Sequence, residues 1–221
     1  MTLRKYSMVF LTVVLMIVAA VTVSLLLTGP ASQSLLVKMA PWLIARSAGV
    51  TAYLLLTVLV IVGFILASVP NKDNWRLSKY MLPFHRMLSL FLAAFLTLHV
   101  LAIALDSYVK VGILGVLIPG LSVYRTLSVA IGTLAFYGVI VTGLTAKYTR
   151  LLPSGKWLMV HRVAFITFIF AFLHSVWTGT DTQSLHLMYD VTAALVLVAA
   201  FIRYAFLPRT RGLGNDERQV Q

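Results

Sequence analysis

Four of the five histidines in this chain fall into two spaced pairs, His85 with His99 and His161 with His174, each inside an apolar run. The first run is PFHRMLSLFLAAFLTLHVLAIALD, from Pro83 to Asp106. The second is VHRVAFITFIFAFLHSVW, from Val160 to Trp177. Neutral imidazole is the commonest metal ligand among side chains, and an ionisable group inside an apolar span is a functional hypothesis by default. One such histidine is ordinarily explained by a hydrogen bond to a neighbouring helix. Four, paired by depth on two helices, are not. At 100° and 1.5 Å per residue, a 14-residue spacing falls about 40° short of four turns, so His85 and His99 share a face about 21 Å apart. The 13-residue spacing leaves His161 and His174 about 220° apart on an ideal helix. Helix tilt, a local change of winding or approach from different sides must absorb that mismatch.

The elements that carry these pairs follow from composition. Of 221 residues, 60% are hydrophobic and 11% charged, and mean hydropathy is +0.95. A soluble domain carries about 25% charged residues, so most of this chain belongs in lipid. Six apolar runs are expected to span, at 8–27, 42–69, 84–105, 124–146, 160–178 and 185–206. The first is too long for a signal-peptide core and lacks a small-x-small cleavage site, so it reads as a retained helix. The fold class is therefore all-α, an integral membrane six-helix bundle. Between Asp106 and Tyr124 the glycines and Pro119 argue against a further span, and the apolar middle of this loop is expected on the membrane surface.

Charge sets the expected orientation. Of the 18 basic residues, 14 fall on one side of this topology, and only Lys38, Arg46, Lys110 and Arg125 on the other. The positive-inside bias places both termini in the cytoplasm of a multi-pass protein of the cell (inner) membrane. It also explains the net charge of +12 without nucleic acid as a partner; membrane lipid is the partner expected. The absence of cysteine excludes disulfides, cysteine-ligated iron–sulfur clusters and covalent haem attachment within these residues. Among the six acidic residues only Asp190 lies clearly inside a span, against the carboxylate chain of a proton pump. No broken-helix repeat suggests a secondary transporter. No glycine-rich phosphate loop follows a strand, so no nucleotide site is expected.

In this topology His85 and His161 lie near the cytoplasmic surface and His99 and His174 near the opposite one. Each cross-helix pair can supply both axial ligands of one haem iron. Two ligands per level are few for zinc or non-haem iron. Small residues such as Ala93, Ala94, Ala164 and Ala171 leave room for a macrocycle. Haem propionates need cationic partners, for which Arg46, Arg86, Arg125 and Arg162 are the candidates. Arg86 and Arg162 adjoin the cytoplasmic-side histidines and serve equally as positive-inside anchors. Arg46 and Arg125 run against the charge bias, which favours a specific role; Asp190 is a competing partner for Arg46. Trp42 and Trp177 read as interfacial belt residues and His186 as a surface histidine. Phe91, Phe95, Phe165 and Phe168 lie between the two histidine levels, where facing lipid is their ordinary explanation.

These motifs resemble the ferric reductase-like transmembrane domain. The segments that carry the resemblance are HRMLSLFLAAFLTLH (His85 to His99), HRVAFITFIFAFLH (His161 to His174) and RSAGVTAYLLLTVLVIVG (Arg46 to Gly63). The group includes the membrane parts of ferric reductases and NADPH oxidases, and the haem subunit of the periplasmic methionine sulfoxide reductase system. It implies a haem-binding core over residues 42–206, after an N-terminal helix and outer loop at 1–41 and before a cytoplasmic polar tail at 207–221. It implies two haem b groups, with His85 and His161 on the cytoplasmic-side iron and His99 and His174 on the outer one. FAD or FMN would enter only through a partner protein. The chain would be the electron-transfer subunit of an oxidoreductase system, reduced by a cytoplasmic flavin reductase or a quinol. Ferric iron, oxygen or an extracytoplasmic reductase would be its acceptor. The alternatives are a haem subunit dedicated to a periplasmic methionine sulfoxide reductase-type system and a haem-free transporter or structural membrane protein.

Overall fold

The computed structural model of the chain describes residues 30–68, 78–153 and 156–206. Among them every regular element is helical: α1 (Pro30–Ser68), α2 (Ser78–Leu105), α3 (Gly112–Leu117), α4 (Thr126–Lys147), α5 (Lys156–His161), α6 (Ala164–Thr178) and α7 (Thr182–Phe201). A single 3₁₀ turn (Thr149–Leu151) follows α4, and a π-helical turn (Ile202–Phe206) ends α7. Five helical stretches are long and apolar enough to cross a membrane: Val37–Ser68, Lys79–Leu105, Thr126–Lys147, Lys156–Thr178 and Thr182–Ala205. They correspond to the second to sixth expected spans. The first, at 8–27, lies outside the described residues, as does the tail at 207–221.

The outer loop expected before residue 42 is instead helical from Pro30. Ala, Gln, Leu, Lys and Met between Pro30 and Pro41 are good helix formers, and the helix runs through Pro41. Helix α1 is the hub, packing against α2, α6 and α7. Its buried face begins with Ala45, Ala48 and Ala52, and Gly49 sits among them. Small residues at four-residue spacing let a partner backbone approach closely, the usual basis of helix association where lipid removes the hydrophobic drive. Farther along, Tyr53, Leu56, Val60 and Phe64 join Leu88 and Leu92 of α2 and Phe168 of α6 in the main core. The Tyr53 hydroxyl shares a 2.6 Å hydrogen bond with Thr192 of α7, so this buried polar tip is satisfied.

Helix α4 packs against α5 and α6 on the other side. Gly138 makes that approach possible, since a Cβ there would collide with Thr167. Helices α2 and α6 hardly touch each other. Helices α1 and α4 flank the gap between them, and the histidines face each other across it.

Candidate functional site

Two histidine pairs bridge this gap. The His85 and His161 ring centroids lie 6.2 Å apart with planes at 66°, and those of His99 and His174 lie 6.3 Å apart at 78°. The pairing by depth expected from the spacing is therefore present. The mismatch on the second helix is absorbed by a change of winding. His161 ends α5, Arg162 and Val163 form a turn, and α6 starts at Ala164. Across that turn Val163 N–H donates to the Val160 carbonyl (3.0 Å) and Phe165 N–H to the Arg162 carbonyl (3.2 Å). Bonds from i to i+3 wind the chain tighter than 100° per residue, which rotates His161 relative to His174.

The outer rings are held by backbone carbonyls on flanking helices. His99 Nδ1 lies 2.6 Å from the Ala45 carbonyl of α1, and His174 Nδ1 lies 2.7 Å from the Ser128 carbonyl of α4. A neutral imidazole meeting a carbonyl at Nδ1 must carry its proton there, leaving the Nε2 lone pair free for a metal. His161 Nδ1 has a longer contact, 3.3 Å to the Thr142 carbonyl. His85 Nδ1 is buried with no hydrogen-bond partner among the described residues.

Glycines provide the close approach. A Cβ at Gly49 would lie 2.8 Å from His99 Nδ1, and one at Gly132 would collide with the His174 ring. At Gly63 it would lie 3.8 Å from the nearest atom of His85, an ordinary contact. Gly49 and Gly63 are 14 apart on α1, matching the interval between His99 and His85 on antiparallel α2. That shared interval is the sequence signal that identifies these backing positions. The accepting carbonyls of Ala45 and Ser128 have no sequence signal, because every residue has one.

A cavity opens on the outer pair. His99, His174, Gly49, Gly132 and Ala171 line it, and Arg46 and Trp42 stand toward its end. The Arg46 guanidinium lies 4.1 Å from the Trp42 ring centroid and is ion-paired with Asp181. Asp181, and not Asp190, is thus the acidic partner of Arg46. Asp190 lies on an exposed face of α7, while Asp181 precedes that helix next to the cavity. Trp42 contributes a face to this site beyond a belt role. Arg125 donates to the Trp177 carbonyl and lies 5.5 Å from the Tyr124 ring centroid. Arg86 and Arg162 are exposed beside their histidines. His186 is exposed and bonded to the Gln183 carbonyl. Phe168 is buried and stacks on Tyr53 at 5.9 Å, so it does not face lipid.

The donor set selects among metals. No group of three or more His, Cys, Asp or Glu side chains converges among the described residues, so each level offers two imidazoles. A metal–imidazole bond of about 2 Å, with the ring nitrogen about 1.1 Å from its centroid, sets two trans imidazole centroids about 6 Å apart. Both pairs meet that span. Two facing imidazoles complement a planar macrocycle that brings four equatorial nitrogens, so the residues on either side of the gap between α2 and α6 fit such a group. A family model described as "Ferric reductase like transmembrane component" matches residues 48–172. The match includes all four paired histidines except His174, which lies two residues beyond its end. No curated protein and no solved structure matches the chain.

Proposed function

This chain belongs to the ferric reductase-like transmembrane family, and from that premise we propose that it is a di-haem b-type cytochrome carrying electrons across the membrane. The observation that carries the reading is the pair of imidazole couples at 6.2 and 6.3 Å, on helices held apart by their neighbours. His85 and His161 would hold one haem and His99 and His174 the other. Bound haem would supply one-electron redox chemistry. The protein fixes where that chemistry happens. Carbonyls of Ala45 and Ser128 orient the outer imidazoles, glycines admit the rings, and the core around Leu92 and Phe168 keeps water from the space between the levels.

The two levels lie about 21 Å apart along α2, fourteen residues at 1.5 Å each. The charge bias makes the His85/His161 level the cytoplasmic one, so the donor is a cytoplasmic flavoprotein or a quinol. The acceptor is extracytoplasmic: ferric iron, oxygen or a partner reductase. Arg46, partly screened by Asp181 and backed by Trp42, would meet an anionic haem propionate at the outer level, and Arg86 and Arg162 would do so at the inner one. Arg125 is instead engaged by the Trp177 carbonyl, so its support of the outer level is indirect.

A reduced-minus-oxidised spectrum of the purified chain, with haem quantified per polypeptide, tests the proposal. Two b-type haems per chain are expected. A colourless protein from haem-replete cells would overturn it and leave the histidines as interhelical hydrogen-bonding groups.

A further inference from the structure

Every positive-φ residue among the described residues lies between Asp106 and Thr126: Lys110 (56°), Gly112 (71°), Gly120 (91°) and Arg125 (38°). Glycine adopts that conformation freely, and the exposed Lys110 and Arg125 mark turns at the two ends of the segment. Between them the segment packs on α4. Thr133 Oγ1 donates to the Val116 carbonyl at 3.0 Å, and the Tyr137 hydroxyl donates to the Leu117 carbonyl. These are the carbonyls that end α3, and a helix end has no backbone partners of its own.

Their position gives the depth of the segment. Helix α4 has 22 residues, about 33 Å, so it matches a hydrocarbon core about 30 Å thick. Thr133 is seven residues from its start, about 10 Å inside that boundary. Gly132, next to it, abuts His174, so the end of α3 reaches the level of the outer histidine pair. Val111 and Val116 pack on Val129 of α4 and on Val100 and Ile103 of α2, below the end of α2. The two limbs of the segment close on each other, since a Cβ at Gly115 would lie 3.2 Å from the Ser122 Cα. The chain thus descends after Asp106 and climbs back to Arg125, where a loop lying on the membrane surface was expected.

The two faces of the segment differ. Val109, Val111 and Val116 line the cavity that holds His99 and His174. Ile113, Leu114, Leu117, Ile118 and Leu121 are exposed, and residues 111–124 contain no charged side chain. Leu101 of α2 and Leu134 of α4, on helices long and apolar enough to span, are exposed as well. Backbone outside a long helix is tolerated at membrane depth only where its polar groups are satisfied. Besides the two α4 hydroxyls, Ile118 N–H reaches the Leu114 carbonyl (2.9 Å) and Leu121 N–H the Ile118 carbonyl (3.2 Å). Pro119 has no N–H to satisfy.

We infer that residues 107–124 form a re-entrant segment that enters the hydrocarbon on the His99/His174 side, covered outside by acyl chains and walling the outer cavity off from lipid. The chain has no cysteine, so single cysteines report without background. Leu117→Cys and Ile113→Cys, each carrying a nitroxide in the full chain in phosphatidylcholine vesicles, are compared with Leu134→Cys on α4. Power-saturation EPR is recorded with oxygen and with a water-soluble nickel chelate. The Leu117 label is expected to match the Leu134 label, with accessibility to oxygen several-fold above that to the chelate. A label relaxed mainly by the chelate overturns the inference in favour of an aqueous loop. A label shielded from both reagents overturns it in favour of protein cover, by a second copy or a partner. Thr133→Val together with Tyr137→Phe should raise chelate accessibility at position 117 and leave position 134 unchanged. An unchanged position 117 would remove these hydroxyls as its anchors.

Discussion

The two histidine pairs have nearly the same ring separation, 6.2 and 6.3 Å, yet the protein grips them differently. At the outer level each ring has a short Nδ1 contact, 2.6 Å to Ala45 and 2.7 Å to Ser128, and a glycine pressed against it. At the inner level one contact is 3.3 Å, the other ring has none among the described residues, and Gly63 merely touches His85. A second hydrogen bond fixes the tautomer and orientation of a ligating imidazole and raises its basicity. The outer level is therefore the more rigid and the more electron-donating of the two.

The largest effects should come from the histidines. On the proposed assignment His99→Ala or His174→Ala removes one of the two imidazoles of the outer level only, and haem per chain should fall from two to one. The inner spectrum should persist, because 14 residues separate the levels on α2. Loss of both haems, or of neither, would break the assignment of the pairs. It is measured by pyridine haemochrome assay on purified variants.

Next come the glycines, which separate the two levels most directly. In a helix interior Gly→Ala gains about 1 kcal/mol of propensity. At Gly63 and at Gly143, where a Cβ meets nothing closer than 3.8 Å, that gain should dominate and the variants should be neutral or slightly stabilised. At Gly49 and Gly132 the Cβ runs into the imidazole ring of His99 or His174, and strain of about 1–3 kcal/mol outweighs the gain. Gly49→Ala and Gly132→Ala should lose or shift the outer haem signal, with Gly132→Ala the more severe. Equal effects at positions 49 and 63 would show that the two levels are gripped alike.

A smaller effect concerns redox order. More basic axial imidazoles stabilise ferric iron, so the outer level should have the lower potential. A spectroelectrochemical titration should resolve two transitions, and the lower one should disappear in His99→Ala. Disappearance of the higher one would reverse the comparison.

Much of this arrangement was legible in the sequence. Five of the expected spans recur because long apolar runs leave a membrane chain few choices but helices, and histidine spacing on α2 fixed a shared face by helix geometry alone. What was hidden has specific physical causes. The tight turn at Arg162–Val163 depends on backbone hydrogen bonds that no side-chain pattern marks. The dip after Asp106 depends on Thr133 and Tyr137, which read as ordinary polar residues of a span until their distant carbonyl partners are seen. Asp181 escaped notice as the partner of Arg46 because it lies in a turn, whereas Asp190 stood out inside a span.

The smallest predicted effect tests whether side chains or backbone hold the outer level. Arg46 and Asp181 are ion-paired, with side chains 29% and 44% exposed, and pairs this accessible contribute about 0–1 kcal/mol. Arg46 also keeps its stacking on Trp42 when the acid is removed. Asp181→Asn should therefore lower the thermal midpoint by no more than about 4 °C and leave both haem signals in place. If it instead released the outer haem, the cation at the cavity end would be holding that level. The carbonyls of Ala45 and Ser128 and the glycines beside the rings would then be secondary, and the contrast between the two levels would rest on one side-chain pair.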